Sequence, residues 1–357
     1  MKIDIISTYP PAKCGVANYI SKLVDRFDDL GLDTKLIDQR FWSKSSPKFL
    51  IKVIKKVRSD DPDIVHLQYE YMLYGKSIFS VQPLTLPLLL ELQGYPTIVT
   101  MHLVFPKDSE DTTLLKRSAR NLATRLLSKS SAVIVHNEES RKIMESDYRI
   151  KETEVISHGT EKAKEPYDVG ERNKILFFGF LSNGKGVEYL IEAMNKVKRK
   201  FNVDLEVVGS PHPEDEQGES YLKYLKKKVR DLRLEDCISF TGFLEEPKLN
   251  EKIKKAKICV FPYTREGEGI HECGPLNKVA GYGKPVITTE NILKSEKVAL
   301  EVPPKDSDSL NDAICKLLSN KDLRKKLGFK SWEFATSWKS AAKKHKKLYK
   351  RVATKKK

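Results

Sequence analysis

Short apolar runs recur along this chain, separated by longer stretches whose apolar residues return every three or four positions. Ile3–Ser7, Thr34–Ile37, Ile64–Leu67, Thr97–Met101, Ala132–Val135 and Val155–Ser157 read as buried strands. The periodicity of Ala17–Phe27 and Phe49–Val57 predicts helices between them. Such alternation builds a parallel sheet covered on both faces. Residues 161–172, EKAKEPYDVGER, are charged, contain Pro and Gly, lack an apolar period and so read as a linker. The scheme then repeats with Ile175–Phe178, Leu205–Val208, Ile238–Phe240, Ile258–Phe261, Val286–Thr288 and Ala299–Val302. The pattern predicts an α/β chain of two Rossmann-like, doubly wound parallel-sheet domains, residues 1–160 and 173–335, followed by a terminal segment 336–357. Ligands of such sheets sit beyond the carboxyl ends of strands, and two facing sheets would leave a cleft.

Length and charge narrow the partners. The 357 residues suffice for two domains, each with its own core. No apolar stretch approaches the ~18–20 residues of a membrane span, and an apolar strand run at Ile3–Ser7 leads to the expectation of no secretory leader. Five cysteines, at 14, 237, 259, 273 and 315, lack zinc-finger spacing and fit a reducing cytosol, so a cytoplasmic location without structural zinc is expected. A net charge of +16 favours anionic partners such as nucleotides, lipid phosphates, nucleic acid or acidic membranes. The charge crowds Lys44–Arg58, beside an apolar stripe of Phe49, Leu50, Val53, Ile54 and Val57, and the tail Lys339–Lys357. One reading is a core-packed helix with a solvated face plus a frayed tail; the other is peripheral docking on the cytoplasmic face of an anionic membrane.

Candidate chemistry sits in the strand-end loops. In Ile175–Met194, ILFFGFLSNGKGVEYLIEAM, a strand ends at Gly179 and a loop with Gly184, Lys185 and Gly186 opens a helix. Backbone amides and one lysine can there meet a phosphate at a helix N-terminus. In Cys259–Thr289 a strand ends at Phe261–Pro262, an acidic loop with Arg265, Glu266 and Glu268 follows, and Gly274–Pro275–Leu276 opens a helix that closes at Gly283. Gly274 reads as its N-cap and Pro275 as its first residue, leaving the amides of Leu276 and Asn277 for an anion. Gly15, in YPPAKCGVAN, would let a ligand approach the backbone closely, or simply serve a tight turn. Gln68, Tyr69, Glu70 and Tyr71 leave a buried strand as a polar set suited to an acceptor. His66 lies inside that strand and reads as a hydrogen-bonded core residue, His102 emerges at a strand end where an active-site residue would stand, and His158 reads as a packing residue at the domain junction.

With these segments together the chain resembles the retaining group-1 (family 4) glycosyltransferases of the GT-B fold over essentially its whole length. YPPAKCGVANY resembles the family's N-terminal glycine loop, DIVHLQYEYMLYG and IVTMHLVFP its acceptor-domain loops, and VISHGTE the segment before the linker. GFLSNGKGVEYLIEAM is similar to the GxLxxxKGxxxLIEA donor loop, FTGFL to FxGxV, GYGKPVITTE to GxPVIxxD, and SWKSAAKKHKKLY to the terminal helix that crosses back to the first domain. The resemblance implies transfer of a hexose from a nucleotide-diphosphate sugar, UDP- or GDP-linked, to a glycan, glycolipid or polyprenyl-linked acceptor, with retention and without metal. It implies His102 and Lys185 as catalytic residues, with Gln68, Tyr69, Glu70 and Tyr71 on the acceptor side. It also implies Gly15, Gly179, Gly209, Phe243, Leu244, Arg265, Glu268, Cys273, Gly274 and Leu276 around the donor, with Phe243 and Leu244 by the base.

Two departures qualify the resemblance. Phe180 stands where the family has an arginine, a loss that Arg265 could make good. The E-x7-E glutamates are replaced by Ile270 and Lys278, as in a subgroup that lacks them, which moves sugar and ribose recognition to Glu268, Glu272 or Glu290. The same departures motivate a rival, a non-catalytic nucleotide-sugar-binding homologue with a regulatory or scaffold role. A nucleic-acid binder, suggested by charge alone, is not expected, because no RNA-binding motif accompanies it.

Overall fold

Five of the six residues of the first strand, Lys2–Ser7 (β1), are buried, because strands of this sheet lie on both sides of it and helices cover its faces. The computed structural model describes residues 1–12, 14–38, 48–74, 78–110, 112–166, 173–211, 215, 217–264, 270–271, 273–290 and 298–354. These divide into two units: 1–159 with 267–272 and 337–357, and 160–266 with 273–336.

In the first unit β1 is joined by Asp33–Asp38 (β2), Ile64–Tyr69 (β3), Thr97–Met101 (β4), Ala132–Val135 (β5) and Thr153–Val155 (β6), all parallel, in the order β2-β1-β3-β4-β5-β6. All six residues of β3 are buried, whereas β2 at the edge keeps alternate residues at the surface. The last strand falls earlier than the apolar run Val155–Ser157 predicts. Its ladder matches Val133–Val135 to Thr153–Val155, and once β5 ends, Ile156 can only close the sheet through its amide to the Val135 carbonyl, at 2.9 Å. Beyond β4, the short strand Leu103–Val104 pairs antiparallel with Ile270–His271.

The terminal helix Trp338–Thr354 buries Trp338, Ala341, Ala342, His345, Leu348, Tyr349 and Val352 in this unit's core. Gly159 is required beneath it, because a Cβ there would lie 2.3 Å from the Trp338 ring. The basic tail is therefore, through Thr354, a docked helix with a solvated face. The helix Lys48–Asp60 likewise buries Phe49, Val53 and Val57, and ties Lys56 to Asp60 at 2.8 Å. Residues 39–47 and 355–357 of the two basic segments lie outside the described residues.

The second unit repeats the architecture with Lys174–Phe178 (β7), Asp204–Val208 (β8), Ile238–Gly242 (β9), Ile258–Phe261 (β10), Val286–Thr289 (β11) and Leu300–Val302 (β12). Its order, β9-β8-β7-β10-β11-β12, is fully parallel and reverses direction at β7 and β10. Loops leaving those two neighbouring strands diverge, and the crevice they leave is where such a sheet holds ligands. No helix of the described residues is long and apolar enough to cross a membrane.

Candidate active site

The β7 loop of the second unit is held by glycines that nothing else could replace. Gly179 has φ 144°, and Gly209, at the end of β8, packs so closely that its Cβ would lie 1.9 Å from the Gly179 carbonyl oxygen. Gly186 caps the helix Val187–Val197 with φ 67°, and a Cβ there would lie 1.8 Å from the Pro262 carbonyl oxygen. The Thr264 amide donates to the Gly184 carbonyl at 3.0 Å, so the loop is clamped to the segment leaving β10. Lys185 lies with its Nζ 4.6 Å from the centre of the Tyr263 ring. That ring is buried, accepts the Cys273 thiol at 3.5 Å on its hydroxyl, and is fixed by Thr289 Oγ1 donating to its carbonyl at 2.7 Å. Burial pushes the phenol well above its ordinary value, so Tyr263 is a neutral face under the ammonium. Gly186→Ala combines a left-handed backbone with a clash against backbone and is expected to cost at least about 2 kcal/mol. A denaturant midpoint unchanged by that substitution would contradict the clamp.

The helix Gly274–Gly281 begins one residue earlier than the sequence suggests. Cys273 is its N-cap, so Gly274 is the first helical residue and Pro275 the second. The Asn277 amide donates to the Cys273 carbonyl at 3.1 Å, which corrects the expectation that it stays available; the Gly274 and Leu276 amides have no backbone partner among the described residues. Phe243 is 59% exposed beyond β9, while Leu244 packs half-buried against the core. Lys278 pairs with Glu246 at 2.6 Å. Arg265, Glu268 and Glu272 lie outside the described residues.

In the first unit the strand ends gather a buried imidazole chain. His136 Nδ1–H donates to the Ile156 carbonyl at 2.9 Å, which leaves its Nε2 to accept His102 Nδ1–H at 3.2 Å. His102 Nε2 meets the Gln68 amide at 2.9 Å, and the same amide reaches His66 Nε2 at 3.1 Å. The Gln68 oxygen stands on the His102 side and its nitrogen on the His66 side; an unprotonated His102 Nε2 assigns the amide the reverse way, nitrogen toward His102. His66 continues to Thr100 Oγ1 at 2.7 Å and to the Tyr349 hydroxyl at 2.6 Å. Tyr19 stands edge-on to His102 and His136, with centroids 5.0 and 5.4 Å away. Burial holds His102 and His66 well below the ordinary imidazole range and lowers His136 to about 4, so the chain is neutral at pH 7. Both nitrogens of His102 are thus engaged, and any bond from it to a substrate must replace one of them.

Gln68 and Tyr69 are fully buried, Gln68 in this chain and Tyr69 edge-on to Tyr71 at 5.0 Å. This corrects the expectation that all four side chains face an acceptor; Glu70 and Tyr71 are half-buried, and the Tyr71 hydroxyl lies 3.2 Å from Thr124 Oγ1. Gly15 is exposed at the start of the helix Gly15–Asp29, with open space where a Cβ would stand. His66 is the core histidine that its apolar strand implies, and His158 donates to the Gly159 carbonyl at 3.1 Å against the Trp338 ring. Neither His136 nor Tyr263 stands out in the sequence pattern. His136 follows β5 as His102 follows β4, and Tyr263 follows β10 by two residues, so strand-end position was the available signal.

Comparison with known proteins bears on the family and the fold. Residues 172–320 match the model "Glycosyl transferases group 1" and residues 31–164 match "Glycosyltransferase Family 4". Each half of the chain thus matches a glycosyltransferase model, and the chain is a glycosyltransferase. It is 31% identical over 155 residues to an uncharacterised glycosyltransferase of Methanocaldococcus jannaschii, a match covering 42% of this chain and 37% of that protein. It is 22% identical to the alpha-D-kanosaminyltransferase of Streptomyces kanamyceticus, over 80% of this chain and 76% of that one. It is also 25% identical to a GDP-mannose-dependent phosphatidylinositol monomannoside mannosyltransferase of Mycobacterium tuberculosis, over 48% and 45% of the two chains. The chain thus spans less than half the length of two of these relatives. Among solved structures, sucrose-phosphate synthase of Thermosynechococcus elongatus superposes with TM-score 0.78 at 19% identity, covering 99% and 100% of the two chains. The trehalose-6-phosphate synthase OtsA superposes at 0.73 and 11%, covering 98% and 99%. Both show the GT-B fold.

Proposed function

We propose that this glycosyltransferase moves a hexose from a nucleotide-diphosphate sugar to a hydroxyl acceptor, with retention and without a metal. The observation that carries the reading is Lys185, set on the Tyr263 ring in a loop clamped between β7 and β10. As the bond to the anomeric carbon breaks, charge grows on the leaving diphosphate, and a fixed ammonium aided by the first-turn amides of Gly274 and Leu276 stabilises it there. In the first unit Gly15 and His102 remain candidates, Gly15 for close approach of a ligand to the backbone and His102 for a sugar hydroxyl taken in exchange for its Gln68 bond. Arg265 and Glu268 remain candidates for the donor, and Glu70 and Tyr71 for the acceptor. A lipid-linked acceptor fits the mannosyltransferase relative's printed name. It also fits Leu114, Leu115 and Leu122, 65–70% exposed on the helix Leu114–Leu126 beside exposed Lys116 and Arg125. Such a face suits peripheral contact with anionic membrane.

The test is a thermal-shift series with UDP-, GDP- and ADP-sugars, repeated with EDTA. Stabilisation by one nucleotide series that survives EDTA is expected, followed by turnover of that donor. A response that EDTA abolishes would sink metal independence. Binding without turnover over varied acceptors would favour the non-catalytic homologue.

A further inference from the structure

We infer that Glu246 is the group that binds the ribose of the donor nucleotide, and that Lys278 is its positioning residue. The inference rests on the nucleotide-sugar reading above and deepens it. A nucleoside asks a protein for two things: a flat apolar face for the base and an acceptor for the ribose diol. Phe243, beyond the carboxyl end of β9, offers the first, with 59% of its surface exposed although it is a large apolar ring.

The carboxylate follows three residues later. Glu246 opens the helix Glu246–Lys255, and its chain position is fixed by Pro247 in the first turn. Its side chain is held from a second element: Lys278, on the helix Gly274–Gly281, lies 2.6 Å from Glu246 Oε1. Side-chain exposures of 19% for Lys278 and 33% for Glu246 put the ammonium behind and leave the carboxylate reachable. An ionised carboxyl group offers about four lone-pair directions, more than the Lys278 ammonium fills. A carboxylate at a strand end taking ribose hydroxyls is a general solution of nucleotide-binding α/β sheets. Here Lys278 cannot accept from a hydroxyl, and its ion pair brings Glu246 to the same helix instead. Lys185, the Gly274 helix end and the Lys278–Glu246 pair then divide the donor among them, diphosphate at the first two and ribose at the third.

The experiment compares the nucleoside diphosphate that binds best in the donor screen with its 2′-deoxy form, by calorimetry on wild-type and variant protein. Wild type is expected to prefer the ribonucleotide by about 10–100-fold, the worth of a hydrogen bond to a charged group. Glu246→Gln should bring that ratio below about threefold, since the bond is then neutral and weak. Lys278→Met, which keeps the carboxylate and loses its anchor, should fall between the two. A preference equal in wild type and E246Q, or no preference in wild type, overturns the inference while leaving the donor reading standing. Failure of wild type to bind any nucleoside diphosphate overturns both. Because the readout is a ratio on one folded sample, a loss of stability in either variant does not mimic the expected result.

Discussion

Lys185→Ala is expected to lower kcat/KM for the nucleotide-sugar donor by about 10²–10³-fold, the loss seen when one preorganised stabiliser of developing charge is removed. The thermal midpoint should move little. The side chain is half-buried, and the loop it leaves is held by backbone: the Thr264–Gly184 bond and the Gly186 contact with Pro262 survive the substitution. Tyr263 supplies the control. Tyr263→Phe keeps the face under the ammonium and loses only the 3.5 Å thiol contact, so it should stay within a few-fold of wild type. Tyr263→Leu removes the face, and with it about 0.5–2 kcal/mol that orients the lysine. Steady-state kinetics on the three variants decides. If Lys185→Ala turns over as fast as wild type, the donor loop is a structural turn and the catalytic charge lies elsewhere.

The fold class was legible because its strands are buried apolar runs separated by helical periods. Among the described residues every strand of the two sheets lies within two residues of the apolar run that predicts it, and the last strand of the first unit is displaced as a whole, by two residues toward the N-terminus. Local backbone demands were also legible: Gly179, Gly186 and Gly209 occupy positions where a Cβ collides or the left-handed region is needed. What the sequence concealed is which polar side chains spend their bonds internally. Gln68 and Tyr69 look like an acceptor surface in a one-dimensional pattern. Their burial depends on β3 lying between β1 and β4, and on His66, His102 and Tyr349 converging from separate elements. The Lys278–Glu246 pair spans 32 residues and two helices, so no local spacing announces it.

The buried imidazoles predict acid lability of the first unit. Burial lowers both His136 and His345 from an ordinary 6.5 to about 4. His345 is fixed by donating Nδ1–H to the Ala341 carbonyl at 2.8 Å, with Tyr19 3.5 Å from its other nitrogen. Between pH 6.5 and 4 the unfolded chain binds these protons and the folded chain does not. Their stability contribution is therefore complete above 6.5 and is lost as the pH falls toward 4. At about 1.4 kcal/mol per pH unit, each costs about 2 kcal/mol by pH 5 and about 3 by pH 4. Asp4 opposes them. Burial first, and then Asp60, raise its carboxyl from 3.8 to about 7, so the folded chain holds that proton where the unfolded chain does not. Stability from Asp4 grows as the pH falls from 7 toward 3.8, by about 3 kcal/mol at pH 5. Denaturant midpoints at pH 8 and pH 5 should separate the two. His345→Gln keeps a neutral donor and acceptor, and should reduce the acid loss by about 2 kcal/mol. Asp4→Asn should enlarge it by about 3 kcal/mol, through the proton it can no longer take up. The opposite signs make the pair diagnostic: a general effect of net charge would shift both variants only slightly, and by similar amounts at both pH values. Equal acid losses in wild type and both variants would mean that neither group is charged and buried at different pH in the two states, and the neutral imidazole chain around His102 would have to be redrawn.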